Sequence, residues 1–324
     1  MAPIPLVLDC DPGHDDMVAI LLAAGSDAID LRAITTVAGN GTLEQTTRNA
    51  LLTCTIAGIR DVPVAAGCDA PLLGALRTAG SVHGESAMDG ADLGRPDVAL
   101  DERHAVDLMA DVLRAAGEPV TLVAVGPLTN VALLLRRHPA LRTAIGEIVL
   151  MGGSASMGNW RPLAEFNIFV DPEAAHVVFS SGLPVTMCGL DVTHQALATE
   201  DVLAQLRGLG TPLASTVVDL LGFFADRYRS LWGFPAAPVH DPVAVARVIA
   251  PQLVGCVDAH VAIELDGTHT RGATVVDRFG VTGEAPNAQV ALELDHAGFW
   301  ALIVDAIARL GGHRVGSTAT ARKS

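Results

Sequence analysis

Positive charge is what this chain of 324 residues has least of. Lys323 is its only lysine, and 21 Lys and Arg face 36 Asp and Glu, a formal net charge of −15. A nucleic-acid backbone is thereby excluded as the main partner, because binding phosphates needs a basic surface. Uncharged nucleosides are not excluded. Aromatic residues are only 4% of a chain that is 50% hydrophobic, so the core must be built from Ala, Val, Leu and Ile. Cysteine is sparse too. Cys10, Cys54, Cys68, Cys188 and Cys256 form no C-x-x-C pair and no zinc-type spacing. They read as reduced packing residues of a cytoplasmic protein. The apolar run at 4–8 is too short for a signal peptide, and no run is long enough to span a membrane. No linker, repeat or low-complexity segment interrupts the chain. One domain over 1–310 is expected, with the small polar stretch 311–324 as a disordered tail.

What is present is an alternation of β-like and helical runs. Strands are expected at 4–9, 29–37, 62–66, 119–125, 146–151 and 184–188. Helices are expected near 16–25, 42–58, 102–117, 127–137 and 171–181. This is the signature of βαβ crossovers and of an α/β fold: an open, mostly parallel, Rossmann-like sheet flanked by helices. Past 190 the pattern loosens into helices near 199–208, 212–230 and 241–250, two or three strands within 254–295, and a last helix near 296–310. Asp171-Pro172 and Asp241-Pro242 each set a capping Asp before a proline at the first helical position. Segments 67–100 and 152–170 show little periodicity, yet carry charged and aromatic residues. Long loops of this kind are usually functional or disordered, and the charged and aromatic residues favour function.

The first strand runs straight into Asp9-Cys10-Asp11-Pro12-Gly13-His14-Asp15-Asp16. Capping and the helix dipole account for one or two of these acids at about 1 kcal/mol, not for four. Asp9 and Asp11, two apart, should share one side of an extended strand. Crowded carboxylates at the carboxyl end of a strand call for a hard cation held by oxygens.

That acidic turn, together with Ala33–Asn40, Val82–Ser86, Val125–Asn130, Ala164–Asn167 and Val239–Pro242, resembles the inosine–uridine type nucleoside hydrolases in order and spacing from about residue 5 to 310. The resemblance implies the nucleoside hydrolase fold, a Ca²⁺ cofactor, and cleavage of the N-glycosidic bond of ribonucleosides to ribose and free base. By motif position it implies that Asp11, Asp16, Asp241 and the Val125 carbonyl bind the metal. Asp11 would also be the base that activates a metal-bound water for inverting attack at C1′. Asp15, Asn40, Asn159, Glu165 and Asn167 would hold the ribose, with Met151 under the ring and Phe166 beside it. His240 would assist the departing base, with His83 and Tyr228 on the same side. Asp9 would stand behind the ligands, and His14 and His194 would be structural. Trp160 and Trp232 offer stacking faces for a base. Trp232-Gly233-Phe234 looks more like pyrimidine-preferring members, Gly189–Thr199 more like broad inosine–uridine members; uridine and cytidine are favoured, with inosine open. A homotetramer or dimer is implied.

Two other readings compete. One is a non-catalytic, Ca²⁺-dependent ribose- or nucleoside-binding protein. The other, more remote, is a haloacid-dehalogenase-like phosphohydrolase with Asp9 as nucleophile and Asp11 as acid.

Overall fold

The computed structural model describes residues 2–312. The predicted tail falls almost wholly outside the described residues. Ten strands form one mixed sheet in the order β4-β3-β2-β1-β5-β6-β7-β10-β8-β9. They are β1 (Ile4–Cys10), β2 (Ile29–Thr36), β3 (Val64–Ala66), β4 (Leu100–Asp101), β5 (Val120–Ala124), β6 (Ile145–Met151), β7 (Val185–Cys188), β8 (Val254–Ile263), β9 (Thr274–Asp277) and β10 (Ala288–Leu294). From β4 across to β10 every neighbouring pair is parallel; β8 lies antiparallel to both β10 and β9.

The parallel strands are apolar along their whole length because helices cover both faces. Leu6, Leu8 and Cys10 point into one buried cluster, with the helices His14–Gly25, Pro242–Ile249 and His296–Leu310. Val7 points the other way, into a cluster with the helices Ala105–Ala115, Thr129–Arg137 and Pro172–Phe179. Each predicted strand and helix is present within a few residues of its expected ends. The sequence pattern missed β4, which has only two residues, and three single-turn helices, Gly80–His83, Phe166–Val170 and Leu190–Thr193. Elements this short carry no period to read.

The chain leaves β1 toward β2 on one side, and returns to β5 on the other. The order reverses between β1 and β5, so the loops after their carboxyl ends diverge and leave a crevice. Both the acidic turn and Val125 lie at that crevice. The main-chain N–H of Val125 donates to the Asp9 carbonyl at 2.8 Å, tying the two strand ends together.

Of the two predicted Asp-Pro caps, one behaves as expected. Asp171 accepts from the Ala174 N–H at 3.0 Å, and also from the Leu72 N–H at 2.8 Å and the Thr129 hydroxyl at 2.7 Å. Asp241 occupies the N-cap position but its side chain bonds no helix N–H. That prediction is corrected: the carboxylate turns away from its helix toward other acids. Replacing Asp171 with Ala removes three hydrogen bonds, two of them from backbone N–H groups that have no other partner among the described residues. It should destabilise the fold by about 2–3 kcal/mol. Urea unfolding measures this, and a midpoint unmoved from wild type would show that the carboxylate braces nothing.

Candidate active site and metal centre

The acidic turn owes its shape to Asp16. At the third position of the helix His14–Gly25, its Oδ2 accepts from the Gly13 N–H at 2.9 Å and from Asn40 Nδ2 at 3.1 Å. Its Oδ1 accepts from the Asp11 N–H at 2.9 Å. One side chain thus closes the turn and caps the helix. Asp11 is held from the second strand's loop, where the Asn40 N–H donates to Oδ2 at 2.7 Å. Two glycines make room for it. A Cβ at Gly39 would overlap Asp11 Oδ2, and one at Gly126 would sit 2.5 Å from Oδ1.

Asp11 and Asp241 both lie within hydrogen-bonding reach of Asp16. One carboxylate oxygen each from Asp15, Asp16 and Asp241 falls within 4.8 Å of the others. The main-chain N–H of His240 also faces Asp15 and eases its charge, bringing the far segment against the acidic turn. Burial raises the pKa of all four acids, and their mutual repulsion raises it further for Asp11, Asp15 and Asp241. For Asp15 it reaches about 8.

A hard divalent cation fits this donor set. The donors are all oxygens, they converge, and Asp11 Oδ1 is fully buried with no hydrogen-bond partner. The Val125 carbonyl accepts from Asn167 Nδ2 at 2.8 Å, and keeps a second lone pair.

Asp9 stands apart. Strand β1 ends at Cys10, so the alternation that would align Asp9 with Asp11 stops short of Asp11. Asp9 Oδ1 instead accepts from the Thr35 hydroxyl at 2.6 Å and Asn130 Nδ2 at 2.8 Å, and burial pushes its pKa up to about 7. Held by Thr35 and Asn130 and not lining the cleft above the acids, it is not presented as a phosphate-attacking nucleophile.

Every other predicted site residue lines one cleft above the acids: Asp15, Asn40, His83, Val125, Met151, Asn159, Glu165, Phe166, Asn167, Tyr228, His240 and Asp241. Asp11 and Asp16 lie beneath it, fully buried. On the polar side, Glu165 caps the short helix Phe166–Val170, accepting from the N–H groups of Asn167 at 2.9 Å and Ile168 at 3.2 Å; it also binds the Gly153 N–H at 2.9 Å. Burial outweighs these bonds and raises its pKa to about 7. Asn167 Nδ2 bridges the carbonyls of Val125 and Met151, and Asn159 Oδ1 accepts from the Phe166 N–H at 3.0 Å.

The opposite side is aromatic and uncharged. Tyr228 OH lies 2.8 Å from His240 Nε2, and Thr193 Oγ1 lies 2.7 Å from its Nδ1. Burial drives the His240 pKa well below the usual histidine range, with His194 adding to the effect. Burial and the neighbouring acids hold the Tyr228 phenol well above its ordinary value, so it stays protonated. Trp160, Trp232 and Phe224 complete the walls. Thr193 and Phe224 were not found by sequence reasoning. Thr193 lies within the Gly189–Thr199 stretch but was given no role there, Phe224 belongs to no motif, and only the approach of the helices Leu190–Thr193 and Pro212–Trp232 brings them in.

Comparison with known proteins agrees with this geometry. Residues 6–301 match the family described as "Inosine-uridine preferring nucleoside hydrolase". The chain is 51% identical over 304 residues to "Pyrimidine-specific ribonucleoside hydrolase RihA" of Shewanella woodyi, covering 94% of this chain and 97% of that one. It is 48% identical to the protein of the same name in Escherichia coli (strain K12), covering 93% and 97%. Among solved structures, "Purine-Preferring Ribonucleoside Hydrolase from Gardnerella vaginalis" superposes with a TM-score of 0.88 at 33% identity, covering 95% and 99%. Among the described residues, no helix is long and apolar enough to cross a membrane.

The acids set a pH dependence for the metal-free protein. Asp9, Asp15 and Glu165 have folded pKa values near 7, 8 and 7, above their ordinary values of 3.8, 3.8 and 4.5. Their contribution to stability is therefore full below about pH 4 and is lost as pH rises through 7 to 8. Thermal unfolding after chelation should show Tm falling across that window. Added Ca²⁺ should raise Tm more at pH 8 than at pH 5. An equal Ca²⁺ effect at both would count against a cation among these carboxylates.

Proposed function

The chain belongs to the inosine-uridine preferring nucleoside hydrolase family, and from that footing we propose that it hydrolyses the N-glycosidic bond of uridine and cytidine, releasing ribose and the free pyrimidine. The observation that carries the proposal is the meeting of Asp11, Asp15, Asp16 and Asp241 beneath a cleft with one polar and one aromatic wall. Pyrimidine preference is supported by relatives named pyrimidine-specific at 48–51% identity, against 33% to the purine-preferring structure.

The cofactor in this reading is Ca²⁺, held by Asp11, Asp16, Asp241 and the Val125 carbonyl, with Asp15 at its edge. When bound it would acidify a water and grip the ribose hydroxyls. Asp11 serves as the base. Its Oδ2 is fixed by Asn40, while Oδ1 stays unpaired and free to take a proton. Burial makes that carboxylate more basic than one in water. Asn40, Asn159, Glu165, Asn167 and Asp15 orient the sugar over Met151. The carboxylates of Asp15 and Glu165 face the ring as positive charge develops on it. On the other wall, the hydrogen-bonded pair Tyr228–His240 supplies the proton that the departing base needs, with His83 beside it. Residues 1–310 act as one catalytic domain in the cytoplasm, assembled as a homotetramer or dimer.

A panel of uridine, cytidine and inosine, assayed for ribose release with and without chelator, tests reaction, metal and preference together. Uridine and cytidine should turn over at least about tenfold faster than inosine. Chelation should abolish all turnover and Ca²⁺ restore it. Binding of uridine without ribose release would favour a binding protein instead. Asp11→Asn should lower kcat by about 10³-fold or more with the fold intact; near-normal turnover would remove Asp11 from the chemistry. His240→Ala should cost about 10²-fold on uridine and much less on p-nitrophenyl riboside, whose leaving group needs no proton.

A further inference from the structure

His14 takes no part in the mechanism above, yet it is completely buried in the first turn of the helix that carries Asp15 and Asp16. Its ring stacks on Phe224, with centroids 5.0 Å apart and planes 4° from parallel, and also faces His83 at 5.3 Å. Its two nitrogens have different partners. Nε2 lies 2.7 Å from the Asp89 carbonyl, and Nδ1 lies 3.1 Å from His83 Nδ1.

These two contacts fix where the protons are. A carbonyl only accepts, so His14 Nε2 carries a hydrogen. His14 is fully buried between aromatic rings and neither nitrogen is bonded to a carboxylate, so the ring is neutral and its Nδ1 is bare. The hydrogen in the 3.1 Å contact must then belong to His83 Nδ1. A competing arrangement exists, in which the main-chain N–H of His14 donates to a bare His83 Nδ1 at 3.4 Å. It would set two lone pairs against each other at 3.1 Å and gain only a long hydrogen bond, so the first arrangement wins. His83, itself neutral through burial, is left with a bare Nε2 that has no hydrogen-bond partner among the described residues. Its side chain lines the cleft on the aromatic wall, stacked 5.2 Å from Phe224.

We infer that His14 is a positioning residue: with the Asp89 carbonyl it holds His83 as the Nδ1–H tautomer, so that His83 offers the base of the nucleoside a hydrogen-bond acceptor and not an acid. The inference rests on the reading of the cleft as a nucleoside site. It gives His83 a ligand chemistry, the imide N–H of uridine or the amino group of cytidine. It also leaves protonation of the departing base to Tyr228 and His240. The relay joins two distant segments, the acidic turn and the loop that follows the helix Gly80–His83. Asp89 is itself anchored there, its carboxylate accepting from the Glu85 N–H at 2.9 Å and the Ser86 N–H at 3.1 Å.

The test is the nitrogen spectrum of the histidine rings. Long-range ¹H–¹⁵N correlation on histidine-labelled protein at neutral pH, with His83 assigned through His83→Gln, separates protonated from bare ring nitrogens. His83 should show a protonated Nδ1 and a bare Nε2, and His14 the reverse. In His14→Phe, which keeps the stacking and removes both polar contacts, His83 should move toward the opposite tautomer. His14→Phe should also lose about tenfold in kcat on uridine, but less than about twofold on p-nitrophenyl riboside, which has no N–H to read. A wild-type His83 protonated at Nε2, an unchanged spectrum in His14→Phe, or equal losses on both substrates would overturn the inference. If His14→Phe does not fold, the wild-type spectrum decides the tautomer alone. Failure of the nucleoside reading would show separately, as wild-type protein that releases no ribose from uridine.

Discussion

Four carboxylates that cannot all be charged without a counterion govern this structure. Asp11, Asp15, Asp16 and Asp241 are buried together, and taking even one such group out of water costs several kcal/mol. The protein does not spread this cost thinly. It uses Asp16 to close the turn through three donors, seats Asp11 between two glycines, and turns Asp241 away from the helix it could have capped. Each of these local choices gives up something ordinary, a cap or a solvated side chain, and a cation among the oxygens would offset the cost.

The cleft above divides electrostatically. On one wall burial pushes carboxyl pKa values up; on the other it pushes histidine pKa values down. The same physical cause has opposite consequences. Burial leaves the acids able to ionise only beside a positive charge. The histidines stay neutral. The reversal of strand order between β1 and β5 gives both walls access to one crevice.

Much of this could be read along the chain. The α/β class followed from the alternation of periods, because parallel strands covered on both faces are continuous apolar runs. The acidic turn followed from spacing, and the resemblance then brought in Asn40, Glu165, Asn167 and Asp241 from separate motifs. Local patterns were weaker where two physical demands met at one residue. Asp241-Pro242 reads as a helix cap from sequence, and only the presence of Asp15 and Asp16 across the crevice draws its carboxylate elsewhere. Asp9 reads as a partner of Asp11, yet it is claimed by Thr35 and Asn130 on the far side of the strand end.

Sequence alone determined which chemistry is available: the acids, amides and histidines, their order, and the strands that deliver them. The tertiary structure decided which of them meet and in what protonation state. A tautomer such as that of His83, or the pairing of His240 with Thr193 and Tyr228, depends on atoms 12 to 69 residues apart approaching within about 3 Å. Hydrogen bonds at that range are set by how helices pack on the sheet, and no local pattern of residues encodes that distance.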